Sequence, residues 1–272
     1  MIECLSETKG AAPLGRPAGT GSGPLSVDIR SKRFPGQGKA AARRVFEDFR
    51  LTLPAGRFHA ILGPSGCGKT TLLNIVAGLD RDFQGSVLLP GTEEGGPEPV
   101  LGYVFQNPLL LPWRTVAENL ALVLHGRPDR DERVARWLRE VGLDGQGAVY
   151  PPRLSVGMSR RAALARAFAV EPGLLLMDEA FASLDDATAR PLRRLLTRIL
   201  RAHPTTVLFV THDLREAITL ADRLLFLSRP PTRLLLDLPV ALSDEDRADE
   251  DRIDAFRSAL RREHAAALEG VA

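Results

Sequence analysis

Apolar and polar positions change rhythm several times along this chain, and each rhythm predicts a different element. "LSVDIRSKRF" (25 to 34) and "FEDFRLTL" (46 to 53) alternate apolar and polar residues, the pattern of two half-buried strands, with "PGQGKAAARR" as their loop. From "RFHAILG" (57 to 63) onward, short apolar runs give way to helix-like stretches, as in a parallel α/β sheet. "KTTLLNIVAGL" repeats Leu72, Leu73, Val76 and Leu79 at helical spacing and places Gly78 where that helix should stop. Further strands are predicted over "VLGYVFQ" (100 to 106), "LLLMDE" (174 to 179), "TTVLFVTHD" (205 to 213) and "RLLFLS" (223 to 228).

Between Asn107 and Val170 the periodicity is helical. Thr115 and Glu118 have the spacing of a capping box, and Val134, Trp137, Leu138 and Val141 line one helical face. The last segment is an acidic run followed by an amphipathic helix with Ile253, Phe256 and Leu260 on one side, read as a solvated C-terminal helix. The expected organisation is a flexible tail over 1–24 and an α/β core over 25–106 and 171–240. A helical subdomain over 107–170 interrupts that core, and an acidic segment with a helix follows over 241–272.

Composition narrows the function. The 272 residues are 44% hydrophobic, enough for one sizeable core. Thirty-six basic residues against 34 acidic ones leave no broad basic surface, so nucleic acid is not an expected partner. Only four residues are lysines (Lys9, Lys32, Lys39 and Lys69), which makes one inside a glycine-rich loop conspicuous. Cys4 and Cys67 have neither metal-ligand nor disulfide spacing and fit a reducing setting. The N-terminus lacks the pattern of a secretory signal, and no window of about 18 apolar residues occurs, so a membrane role must come through a partner.

"GPSGCGKT" (63 to 70) matches the phosphate-binding loop, with a predicted strand before it and a helix after it. Its glycines let backbone N–H groups turn toward phosphates, where the helix N-terminus adds partial positive charge. Gly63, Pro64, Ser65, Gly66, Cys67, Gly68, Lys69, Thr70 and Thr71 form the candidate nucleotide-binding set. Lys69 reaches the β- and γ-phosphates and Thr70 offers a hydroxyl to Mg²⁺. Cys67 has two readings: a thiolate favoured beside Lys69 at a helix N-terminus, or, the preferred one, simply a small residue that fits the loop. In "LLLMDEAFASLD" an apolar strand delivers Asp178 to hold Mg²⁺ through water and Glu179 to polarise an attacking water.

The ordered set "GPSGCGKT", "VFQN", "LSVGMSRRAALARAF", "LLLMDEAFASLD" and "VTHD" resembles the nucleotide-binding subunit of an ABC transporter over roughly residues 25 to 228. "LLPWRTVAENL" (110 to 120) looks like the importer branch for nitrate, sulfonate and taurine-like solutes. The resemblance implies a RecA-like P-loop core, ATP and Mg²⁺ as ligands, and a homodimer or paired ATPase subunit. It also implies a peripheral place for this chain on the cytoplasmic face of the inner membrane, beneath a membrane permease and, through it, an external solute-binding protein. Residue by residue, it implies that Gln106 contacts Mg²⁺ and the attacking water, that His212 holds the γ-phosphate, and that Asp185 lies at a dimer interface. Adenine stacking falls to Phe34, with Phe46 as the second candidate.

One position departs from the family pattern. The family has Leu-Ser-Gly-Gly where this chain has "LSVG": Ser155 and Gly157, expected to cover the γ-phosphate of the opposite subunit, are kept, and Val156 replaces the first glycine. A valine forced to positive φ would put roughly 1 to 3 kcal/mol of strain on the closed dimer. Two functions follow: an energising ATPase slowed by Val156, or a nucleotide-binding regulatory subunit with weak turnover. The five retained residues Lys69, Gln106, Asp178, Glu179 and His212 favour the first.

Overall fold

The computed structural model describes residues 23–36, 42–92, 99–182 and 184–268, so the expected tail lies outside the described residues except for its last two positions. Leu25–Phe34 (β1) and Arg43–Leu53 (β2) pair antiparallel, Leu25 opposite Leu53, and Gln84–Leu88 (β4) joins the other edge of β1. The second strand therefore begins earlier than the alternation suggested. Arg43 and Arg44 belong to it rather than to the preceding loop, and the described part of that loop is correspondingly shorter.

The larger sheet follows the order β5-β6-β7-β3-β8-β9, built from Phe58–Leu62 (β3), Leu101–Val104 (β5), Leu174–Asp178 (β6), Thr206–Val210 (β7), Arg223–Leu227 (β8) and Leu234–Pro239 (β9). Its first five strands run parallel and β9 pairs antiparallel with β8 at the edge. Fully buried runs such as "FHAIL", "LLLMD" and "TVLFV" are what a parallel sheet covered on both faces requires. The two-residue period of a strand sends alternate side chains into different cores. Leu174, Leu176, Leu208, Val210 and Ile61 join Leu72, Leu73, Ile75 and Val76 of helix α1 (Lys69–Val76) and the inner residues of β1 and β2.

Leu175, Met177, Val207, Phe209, Phe58 and Ala60 face the other way. There they meet helices α2 (Val116–Leu122), α3 (Arg130–Glu140), α4 (Val156–Ala169), α5 (Asp186–Ala202), α6 (Leu214–Leu220) and α7 (Glu250–Glu263). α2 starts in the anticipated capping box, with Glu118 N–H donating to Thr115 Oγ1 at 3.2 Å and Thr115 N–H donating to the Glu118 carboxylate at 2.7 Å. Val134, Trp137, Leu138 and Val141 are buried together, and α7 packs through Ile253 and Leu260. α1 is shorter than its periodicity implied. Gly78, at φ +69 just past the C-cap Ala77, turns the chain off the helix, so Leu79 leaves the buried row and is exposed.

Candidate functional site

The loop between β3 and α1 lines a cavity of about 600 Å³ together with Phe34, Arg43, Val45, Glu179 and His212. Gly63, Ser65, Gly66, Gly68, Lys69, Thr70 and Thr71 all border it. Gly68 is the N-cap of α1 at φ +104, and a Cβ there would stand 2.5 Å from Val45 Cγ1 and 3.1 Å from Phe46 Cζ. The loop thus lies directly on the inner face of β2, and only glycine permits that approach. Two further contacts hold its back: Thr232 donates its hydroxyl to the Cys67 carbonyl, and Thr232 N–H donates to Val45 O at 2.8 Å.

Lys69 is buried, with Nζ donating to Gly63 O at 2.7 Å and Pro64 O at 3.1 Å, so its ammonium stays fixed at the wall of the cavity. Thr70 Oγ1 donates to Asp178 Oδ1 at 3.2 Å, joining the loop to the end of β6. Burial raises the Asp178 carboxyl above its ordinary value; the Thr70 hydroxyl opposes this, Glu179 adds to it and Lys69 opposes it. The next residue, Glu179, turns sharply off the strand at φ +43, a region that costs a non-glycine residue about 1 kcal/mol or more. Its two oxygens are flanked by Gln106 Nε2 and His212 Nδ1, each at 3.4 Å, contacts with room to tighten. Lys69, Thr70, Asp178, Glu179, Gln106 and His212 therefore form one connected cluster on four elements of the fold.

Phe34, at the end of β1, lies on the cavity wall and is 40% exposed, with Lys32 Nζ 4.7 Å over its ring. Lys32 is itself fixed by Asp80 at 2.8 Å and Asp82 O at 2.7 Å, so the ring rests on a held cation. Phe46 is fully buried in the floor beneath Gly68 and stacks on nothing in the cavity, which removes it as the alternative to Phe34. The Cys67 thiol is also buried. Burial pushes it above its ordinary value against the pull of Lys69, which fits the reading of a small residue packed in the loop rather than a favoured thiolate.

Ser155, Gly157 and Asp185 do not border this cavity within the chain. Ser155 caps α4, its Oγ accepting Met158 N–H at 3.2 Å, and Asp185 caps α5 by accepting Thr188 N–H at 2.7 Å. Val156 is the first residue of α4, 62% exposed, and absent from the residues of positive φ. Its backbone is ordinary for valine, the case in which the substitution costs the single chain little.

Pattern reading missed three arginines. Arg43 donates to the Gly66 carbonyl and lines the cavity. Arg160 and Arg166 reach from α4 to the loop that carries Gln106, Arg160 to the carbonyls of Phe105 and Gln106 and Arg166 to Pro108 O and Leu109 O at 2.8 Å each; Arg160 also donates to Ala182 O in the segment after β6. The signal available for Arg160 and Arg166 was the run of arginines in "SRRAALARAF" on an otherwise apolar helix.

A phosphate-binding loop on a parallel sheet, with a carboxylate pair at the end of β6, one strand removed from β3, defines a P-loop ATPase. Comparisons carry this further. Residues 46–182 match the family described as ABC transporter. The aliphatic sulfonates import ATP-binding protein SsuB 2 of Burkholderia lata is 45% identical over 208 residues, 76% of each chain. The protein of that name from Burkholderia cenocepacia is 41% identical over 256 residues, 91% of this chain and 93% of the relative. SsuB of Bacillus anthracis is 44% identical over 209 residues, 76% of this chain and 82% of the relative. Among solved structures, a dimeric post-hydrolysis state of the ATP-binding cassette MJ0796 bound to ADP and Pi matches with a TM-score of 0.67. It is 26% identical, covering 79% of this chain and 98% of that one. The chain belongs to the ABC transporter family as an ATP-binding subunit with ATPase activity.

Proposed function

We propose that this chain is the energy-coupling subunit of an ABC importer for small anions of the aliphatic sulfonate class, with nitrate and taurine as related solutes. It works as a head-to-tail dimer, or paired with a similar subunit, on the cytoplasmic side of a membrane permease fed by an external solute-binding protein. The relatives, aliphatic sulfonate import proteins by name, support the solute class, and the dimeric cassette of similar fold supports the assembly. Among the described residues no helix is long and apolar enough to cross a membrane, so the permease supplies the membrane path.

The observation that carries the reading is the connected cluster around Glu179. Phe34 stacks on adenine, while Gly63 to Thr71, including Pro64 and Cys67, wrap the phosphates. Lys69 neutralises charge on the transferred phosphoryl group. Glu179 takes the proton of the attacking water, and Gln106 and His212 keep its two oxygens oriented, His212 on the side of the γ-phosphate. Thr70 and Asp178 present hard oxygen donors 3.2 Å apart, a set that suits Mg²⁺ shared with phosphates, and Gln106 completes it. Mg²⁺ bound there supplies charge neutralisation on the β- and γ-phosphates. Ser155, Gly157 and Asp185, outside their own chain's cavity, serve the nucleotide of the partner subunit.

The regulatory alternative rested on the departures at Val156 and Phe34; Val156 has no positive φ and Phe34 lines the cavity, so no observation favours it. Steady-state phosphate release by the purified chain, with Glu179→Gln as control and the cognate permease in vesicles as a second series, tests the proposal. Turnover lost in Glu179→Gln and raised by permease with an alkanesulfonate and its binding protein is expected. Phosphate release equal in the two proteins would refute the assignment of Glu179; stimulation absent with every sulfonate would refute the solute class.

A further inference from the structure

We propose that Glu216 is a positioning residue for the loop that carries His212, joining it through Arg193 to the Asp185–Asp186 turn at the start of α5. This rests on the reading of His212 as a contact of the terminal phosphate. Glu216 lies in the first turn of α6 and is almost fully buried. Its Oε2 accepts the Thr211 hydroxyl at 2.9 Å, and that hydroxyl accepts Asp213 N–H at 3.0 Å. Asp213 in turn accepts Arg215 N–H at 2.8 Å and Glu216 N–H at 3.3 Å. Both neighbours of His212 are therefore anchored to one buried carboxylate and its helix turn, while the His212 ring projects to the cavity beside Glu179.

The second half of the link crosses to another helix. Arg193 Nη1 stands 3.6 Å from Glu216 Oε1, and its Nη2 donates to Asp186 Oδ1 at 2.8 Å. Asp186 directly follows Asp185, the N-cap of α5. One continuous path thus runs from the His212 loop to the turn assigned to the subunit interface. A buried carboxylate is a costly way to brace a loop that an amide would brace through the same hydroxyl. What it adds is a charge that draws Arg193.

Burial pushes the Glu216 carboxyl up to about 7. The Thr211 hydroxyl pulls it down, Asp213 pushes it up, and Arg193 and His212 pull it down, so the groups facing it come from the loop, from α6 and from α5. Protonation leaves the Thr211 bond in place and removes the attraction for Arg193. The tie to the loop is then permanent, and the tie to α5 is present at pH 8 and weakened at pH 6.

The test uses the purified full chain with Glu216→Gln, Glu216→Ala, Arg193→Met and the double variant. In Glu216→Gln, kcat falls about three- to tenfold at pH 8 and matches wild type within about twofold at pH 6, with KM for ATP unchanged within about twofold. Arg193→Met reproduces this profile, and the Glu216→Gln/Arg193→Met chain is no slower than either single variant. Independently of turnover, amide hydrogen exchange at Thr188 and Ala189 speeds up in Glu216→Gln at high pH; a brace confined to α6 leaves those amides unchanged. Glu216→Gln behaving as wild type at both pH values, or losses that multiply in the double variant, overturns the proposal. A His212→Ala chain that hydrolyses ATP at the wild-type rate overturns both this proposal and the role of His212. An inactive His212→Ala beside an unaffected Glu216→Gln overturns this one alone.

Discussion

Replacing Arg160 by Met removes a buried guanidinium whose partners are all backbone carbonyls. Its Nη1 donates to Phe105 O at 3.4 Å and to Gln106 O, its Nη2 donates to Ala182 O at 3.4 Å, and no carboxylate pairs with it among the described residues. Burial accordingly lowers its pKa. The close contact with Gln106 O is worth about 1.5–3 kcal/mol as a charge-assisted bond, and the two long ones add a fraction of that. Relief of the desolvated charge offsets part of the loss, leaving a net destabilisation of about 2 kcal/mol, or roughly 4–8 °C in a chain of this size. The functional effect is directional. Arg166 still holds Pro108 and Leu109, so only the Gln106 end of the loop is released from α4. Arg160→Met should lower kcat about tenfold with little change in KM for ATP, and Arg160→Lys, reaching one carbonyl, should fall between. Thermal denaturation followed by circular dichroism gives the first quantity and phosphate release the second. A variant that melts within about 1 °C of wild type and keeps kcat within about twofold would show that the loop does not depend on this contact.

Four further outcomes are expected. Gly68→Ala, forced to φ +104 with Cβ 2.5 Å from Val45 Cγ1, should lose about 3 kcal/mol or more and bind ATP weakly by calorimetry; wild-type affinity would contradict the packing of the loop on β2. Phe34→Ala should weaken ATP binding about five- to tenfold with unchanged melting, whereas Phe46→Ala should cost about 3–5 kcal/mol of stability. Val156→Gly should alter stability by less than about 1 kcal/mol and turnover by less than about twofold, since the valine is exposed and unstrained; a tenfold faster enzyme would restore the strain argument. Glu216, raised from its ordinary 4.5 to about 7, keeps a proton in the folded protein that the unfolded chain has released. Its contribution to stability is therefore full below pH 4.5 and is lost as pH rises to about 7. Glu216→Gln should flatten that slope in urea titrations and be more stable than wild type at pH 8 by roughly 2–3 kcal/mol, so slower turnover there cannot be ascribed to unfolding.

The parts legible in advance were those whose physics is local. A phosphate loop needs a strand, glycines and a helix within a dozen residues, and "RFHAILGPSGCGKTTLL" shows all three. The buried strand before Asp178 was likewise visible as an apolar run, which brought Thr70 and Asp178 together across more than a hundred residues. Strand β4 was not legible: "QGSVL" is mostly exposed, and Gly85 is there because a Cβ would stand 1.9 Å from Asp28 O, a constraint set by a distant strand. α5 carried a readable signal in Leu192, Leu195, Leu196 and Ile199, but Pro191 inside it obscured the pattern. For Arg160, Arg166 and Glu216 it was the partners that were illegible, although the run of arginines on α4 was visible. Their partners are carbonyls, a hydroxyl and a charge on other elements, and no spacing announces such contacts.

The place of β3 in the sheet bears on how the protein is made. The strand that leads into the phosphate loop is flanked by β7 and β8, residues 206–210 and 223–227, and the loop is tied from behind by Thr232. A chain emerging from the ribosome therefore exposes both edges of β3 while some 150 further residues are synthesised, and nothing can complete the nucleotide site in that interval. ATP cannot assist the early stages of folding, and a truncated product that already contains "GPSGCGKT" is an aggregation hazard rather than a partial enzyme. The motif nearest the start of the fold is among the last to become functional.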